Sequence, residues 1–129
     1  MNSSVVTPPR MDPAFEVEQE LQGTWIQVSG RWSCQLFFAA HHFAVRFQNG
    51  EVYMGVYTVD PTSTPAAMDM TLEQGPDRYC GLTALCIYEL DGHTLRWCAN
   101  EPGVEQRHTR FPADGESKFP TLVFRRDGM

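Results

Sequence analysis

The residues of this chain whose types could carry chemistry are few: Cys34, Cys80, Cys86 and Cys98, His41, His42, His93 and His108, and the run Arg107-His108-Thr109-Arg110. Their spacing narrows what that chemistry can be. There is no Cys-x-x-Cys and no paired Cys/His spacing, so no metal ligands and no cofactor are expected. There is no Gly-x-Ser-x-Gly, His-Glu-x-x-His or phosphate-cradling glycine loop, so no catalytic residue is assigned. Asp69, Glu73 and Glu89 fall on outward or edge positions, where two carboxylates do not pair for acid–base work. Cys86 falls on an apolar face and reads as a buried, inert thiol. Binding is the class that remains. Arg107 and Arg110 could meet a carboxylate, such as a peptide C-terminus or an acidic metabolite, with solvated loop charges as the competing reading. Tyr88 and Trp97, apolar rings with polar tips, are the groups best suited to orient a ligand among Met54, Met68 and Met70.

The elements that must position these side chains belong to one domain, since 129 residues leave no room for a second core. Hydrophobic residues make up 42% and the net charge is −6, a globular composition with no basic face for nucleic acid or an anionic membrane. No apolar run approaches the roughly 20 residues of a membrane helix. The N-terminal residues lack the charged and apolar regions of a secretory signal, so a cytoplasmic location with reduced thiols is expected.

Residues 1–13, with three prolines and no periodicity, read as a flexible arm, and residues 14–129 as the domain. A short helix is expected over Ala14–Leu21. From Gly23 onward the period is two, which gives eight strands: Gly23–Ser29, Ser33–Phe38, His42–Gln48, Glu51–Val59, Ala66–Leu72, Leu82–Leu90, His93–Ala99 and Thr121–Arg126. Short connections between sequential strands predict an all-β, antiparallel, up-and-down arrangement that closes into a barrel or a sandwich.

Two turns predict register. If Asn49-Gly50 forms a two-residue type I′ loop, Phe47 faces Val52 and Val45 faces Met54. The inner face then holds Phe43, Val45, Phe47, Val52, Met54 and Val56, and Tyr53, Gly55 and Tyr57 point out. If Asp91-Gly92 is the second such loop, Tyr88 faces Leu95 and Cys86 faces Trp97, with Cys86, Tyr88, Leu90, Leu95 and Trp97 inside. Met68, Met70 and Leu72 add a methionine-rich inner patch. Arg126 shares the inner face of the last strand with Leu122 and Phe124, where a charge needs a partner.

Leu21…Gly23-Thr24-Trp25 at the first strand, a short helix before it and an inward Arg126 on the last strand resemble the calycin signature. That resemblance implies an eight-stranded lipocalin-like barrel, closed at one end by Trp25 with Arg126 packed over its indole, both in structural roles. More closely, the chain resembles an uncharacterised lipocalin-like subfamily of planctomycete-type bacteria. The likeness rests on Gly55-Val56-Tyr57-Thr58-Val59-Asp60, Ala67-Met68-Asp69-Met70, Ile87-Tyr88-Glu89-Leu90-Asp91-Gly92, Leu95-Arg96-Trp97-Cys98 and Phe124-Arg125-Arg126. Arg107-His108-Thr109-Arg110-Phe111 is also similar, although the subfamily carries proline where His108 stands.

The function expected is a non-catalytic binding protein for a small apolar molecule or a peptide, in a barrel that is either filled by its own side chains or hollow. Two alternatives are an accessory protein that presents a peptide or metabolite to a biosynthetic enzyme, and a small barrel isomerase or cyclase using Cys86, Tyr88 or Arg107. Ile26, Val28, Leu85, Ile87, Tyr53 and Tyr57 on the outer face would make the surface unusually apolar. That points to a homodimer or a docking surface for another partner, unless the arm or the long loop covers the patch.

Overall fold

The computed structural model describes residues 12–128. The predicted arm therefore lies outside the described residues except for Asp12 and Pro13, and these two belong to the helix instead. Helix α1 spans Pro13–Leu21. Asp12 is its N-cap, its carboxylate accepting from the Ala14 N–H at 2.9 Å, and Pro13 occupies the first turn, where a missing N–H costs nothing.

Eight strands follow: β1 (Gly23–Ser29), β2 (Cys34–Ala39), β3 (His42–Phe47), β4 (Val52–Asp60), β5 (Ala66–Gln74), β6 (Thr83–Asp91), β7 (Thr94–Cys98) and β8 (Leu122–Arg126). Each pairs antiparallel with the next, and β8 returns to β1, so the sheet is a closed up-and-down barrel in sequence order. Closure matters because alternation then puts every second residue into one enclosed interior. A short 3₁₀ turn, Asp77–Tyr79, lies between β5 and β6.

Large apolar side chains pack the interior, down to the end on which α1 lies. Trp25, Leu36, Tyr57, Met68, Met70, Cys86, Leu95, Leu122 and Phe124 are all essentially buried there. Helix α1 seals this end, and Arg126 ties the seal. Its guanidinium carbon lies 4.4 Å from the centre of the Trp25 ring, its Nη1 donates to Gln22 O at 2.8 Å and its Nη2 donates to Glu20 O. Trp25 Nε1 donates to Leu21 O at 2.8 Å. The last turn of α1 contains no basic residue, so β8 supplies the cation that the helix C-terminus favours. Gln22 extends the seal across the β2–β3 turn, donating to Ala40 O at 3.1 Å and accepting from Ala40 N at 2.6 Å.

The first hairpin departs from the expected register by one residue. Phe47 N donates to Glu51 O and Gly50 N to Phe47 O, both at 2.9 Å, so the loop is the three residues Gln48-Asn49-Gly50. Only Gly50 takes positive φ, at 95°, which is a turn followed by a glycine bulge and not the type I′ pair. Val45 consequently faces Tyr53, and Ala44 faces Met54. A slip of one residue turns the whole strand over. Tyr53, Gly55 and Tyr57 point inward, while Val52 and Met54 point out, Met54 being 41% exposed. The second hairpin slips by two, with Asp91 facing Thr94 across a Gly92-His93 turn, so Tyr88 faces Trp97 and the inner set keeps its side.

The long segment between β7 and β8 crosses the outer surface of the barrel. Arg96 lies 4.2 Å from the Phe111 ring, Cys98 Sγ donates to Phe119 O at 3.3 Å, and Thr121 Oγ1 donates to Pro112 O at 2.9 Å. Ile87, an outward residue, is fully buried beneath it. The chain itself therefore covers part of the apolar outer surface that suggested a second copy, and two further members of that patch, Tyr53 and Tyr57, are inside. Among the described residues no helix is long and apolar enough to cross a membrane.

Two substitutions test this account. Arg126→Met, which strands two helix carbonyls and uncovers Trp25, is expected to lower unfolding stability in urea by about 2–3 kcal/mol. Gly55→Ala places a Cβ 1.8 Å from Thr71 O at the β4–β5 bulge, against backbone that cannot yield. A loss of about 3 kcal/mol is expected, and an unchanged urea midpoint would refute the close approach.

Candidate ligand-binding site

The end of the barrel opposite α1 has no helical seal. Five rings drawn from five parts of the chain form a collar around it. Phe119 meets Trp32 at 5.5 Å between centroids, Trp32 meets Phe47 at 5.7 Å, Phe47 meets Tyr53 at 5.3 Å and Tyr53 meets Tyr79 at 6.4 Å. Most of these contacts are edge-to-face, the geometry that ring quadrupoles favour. Trp97, Val45 and Ala99 line the space within the collar, and Asn49, Glu51, Arg78 and Asn100 bring polar groups to it. The volume of this half-open cup is about 260 Å³. A cavity of about 150 Å³ accommodates benzene and drug-sized ligands need roughly 300 Å³ or more, so this space suits one or two rings.

Trp97 is 3% exposed, and its Nε1 has no nitrogen or oxygen acceptor among the described residues. The Cys86 sulfur beside it is a weak acceptor, so the indole N–H is under-satisfied. Tyr88 is also buried, its hydroxyl without a partner, and burial pushes that hydroxyl up to about 12. Burial together with the nearby Glu51 carboxylate raises Tyr53 as well. Both of these phenols are neutral over the physiological range, so Tyr53 brings a ring and an O–H group to the cup without phenolate charge.

The sequence-derived site residues do not all meet here. Trp97 lines the cup. Tyr88, cross-strand from Trp97, lies within the barrel interior, as do Met68 and Met70, which are buried at 0% and 2% exposure and fill its middle. The inward placement expected for Met54 is corrected by the three-residue hairpin loop, which puts the side chain on the outside. Tyr79 and Phe119 were absent from the expected set, because they sit in turn and loop segments where no periodicity assigns a side. Tyr53 was assigned to the wrong face.

Arg107 and Arg110 lie outside the barrel and apart from each other in their partners. Arg107 donates to Cys86 O at 2.7 Å, Met68 O at 3.3 Å and Asp69 at 2.5 Å. Its charge is thereby matched, and it acts as a rivet that holds the long segment onto β5 and β6. A second cleft of about 430 Å³ runs beside it, between the β4–β5 loop and His108-Thr109, with Asp60 and Asp69 along its sides. Arg110 forms a two-point pair with Glu116, at 3.1 and 2.6 Å, and its guanidinium holds the Glu116 carboxyl down at about 2. Cys86 and Tyr88 inside and Arg107 outside are on opposite sides of the sheet, so those three do not share a site.

All four cysteines are free thiols. Burial pushes Cys34 up to about 12 and Cys98 up to about 11, and raises Cys86 too. Comparison with family models, with curated proteins and with solved structures gives no match. Because thiolate is the reacting form, the buried three remain protonated at pH 8. Titration of the folded protein with a thiol-disulfide reagent at that pH is expected to label the exposed Cys80 rapidly and the other three only on denaturation. Fast labelling of a second thiol would contradict the packing described.

Proposed function

We propose that this chain is a non-catalytic binding protein that holds a small one- or two-ring molecule in the open mouth of its barrel. The observation that carries the reading is the aromatic collar around about 260 Å³ above an under-satisfied, buried Trp97 N–H. Such a cup offers a ring-shaped guest flat and edge-on contacts in every direction. The packed side chains of the interior favour a small ligand that sits near the entrance.

A small molecule fits better than a peptide. The eight strands of the described residues are all paired into the closed sheet, so none of them has a free edge to offer main-chain hydrogen bonds to an added strand. The barrel with its short helix is consistent with a lipocalin-like fold, and the Trp25–Arg126 stack supports the finer reading of a calycin of the planctomycete-type subfamily. Four free thiols support a reducing, cytoplasmic setting.

Titration with phenol and with toluene, followed by amide and indole N–H shifts in two-dimensional NMR, tests the site. Shifts are expected at Tyr53, Tyr79, Phe119 and the Trp97 indole. Ala99→Leu, which fills the cup from its wall, is expected to weaken binding at least tenfold, with thermal unfolding used to verify that the fold persists. Undiminished binding in that variant, or shifts confined to the outer cleft, would refute the site.

A further inference from the structure

The charges at the entrance of the cup name a class of ligand, a step that rests on the reading of the mouth as the binding site. Two oppositely charged side chains line it, Glu51 and Arg78. Neither forms a salt bridge among the described residues. Glu51 is held at the start of β4 by Asn49, whose Nδ2 donates to its carboxylate at 2.9 Å and whose side-chain oxygen accepts from the Glu51 N–H at 2.9 Å. Arg78 is placed independently, its guanidinium carbon lying 4.6 Å from the centre of the Tyr79 ring in the collar. Both side chains border the same cup, yet no salt bridge joins them.

An apolar ligand would leave both exposed charges to solvent and gain nothing from them. A carboxylic acid would meet Arg78 but face Glu51, and an amine the reverse. A molecule with an aromatic ring, an ammonium and a carboxylate satisfies all three features at once. We propose that the mouth takes a small aromatic zwitterion of the free α-amino acid type, with its ring in the collar, its carboxylate toward Arg78 and its ammonium toward Glu51. A peptide residue lacks this pattern, because peptide bonds remove one or both charges.

The test compares L-phenylalanine with phenethylamine, 3-phenylpropanoate and ethylbenzene, each titrated into the whole chain by NMR. Phenylalanine is expected to bind roughly fivefold tighter than either singly charged analogue, the upper range for a solvent-exposed ion pair. Arg78→Met should erase its advantage over phenethylamine only, and Glu51→Gln its advantage over 3-phenylpropanoate only. Ethylbenzene should bind the wild type and both variants alike, which also shows that the variants keep their fold. If ethylbenzene binds in the mouth and phenylalanine binds no more tightly, the zwitterion is refuted while the binding site stands. If none of the four shifts the collar resonances, the site itself is refuted.

Discussion

The structure depends on the guanidinium of Arg126. A charge on the inner face of a closing strand is tolerable only if its donors and its field are matched, and here each is. The indole face of Trp25 meets its flat surface, two carbonyls at the end of α1 accept from its nitrogens, and the helix terminus supplies negative potential. The contact also joins chain ends: residues 20–22 and 126 come together, and β8 pairs with β1 as part of the same arrangement. Sealing, barrel closure and helix docking are thus one interaction. Because the seal lies at one end, any room left in the barrel has to lie at the other.

The interior above that seal obeys a volume constraint. Trp25, Tyr57, Phe124, Met68 and Met70 are large enough to fill an eight-stranded lumen, and unbranched methionine adapts to the gaps between rings. At the far end the side chains change type. The rigid rings of Trp32, Phe47, Tyr53, Tyr79 and Phe119, most of them meeting edge-to-face, cannot collapse as methionine would, because each is already braced by a neighbour. A cavity bounded by braced rings persists where one bounded by flexible chains would fill. The same protein therefore has a packed core and a preformed cup, separated by the level of Trp97.

Alternation and turn residues carried most of the architecture, and the places where they fell short have physical reasons. The first strand, Gly23–Ser29, matches its expected span, and the others lie within two residues of theirs, because barrel strands have one clearly apolar side. Strand β4 is the exception. Val52, Met54 and Val56 are as apolar as Tyr53 and Tyr57, so periodicity cannot choose between its faces and the loop length decides. Arg126 was legible because an arginine in phase with Leu122 and Phe124 is costly unless paired. Tyr79 and Phe119 were illegible, since a ring in an irregular segment has no periodic neighbours to declare its side. For Arg107 the sequence left open a carboxylate ligand and a solvated loop charge, and its partner is the carboxylate of Asp69 in the same chain.

The register of one hairpin then acquires a larger role than its three-residue loop suggests. Had Asn49 and Gly50 formed the two-residue turn, Val52 and Met54 would face the interior and Tyr53 would face solvent. The collar would lose the ring that bridges Phe47 to Tyr79, and flexible or short side chains would take its place at the mouth. The Gly50 bulge prevents this by admitting one further residue, and the same bulge places Glu51 opposite Phe47, with Asn49 fixing its carboxylate. A glycine at positive φ, an asparagine side chain and a one-residue offset thus determine both the aromatic wall of the cup and the anionic half of its rim. The chemistry proposed for the mouth is therefore a consequence of turn geometry.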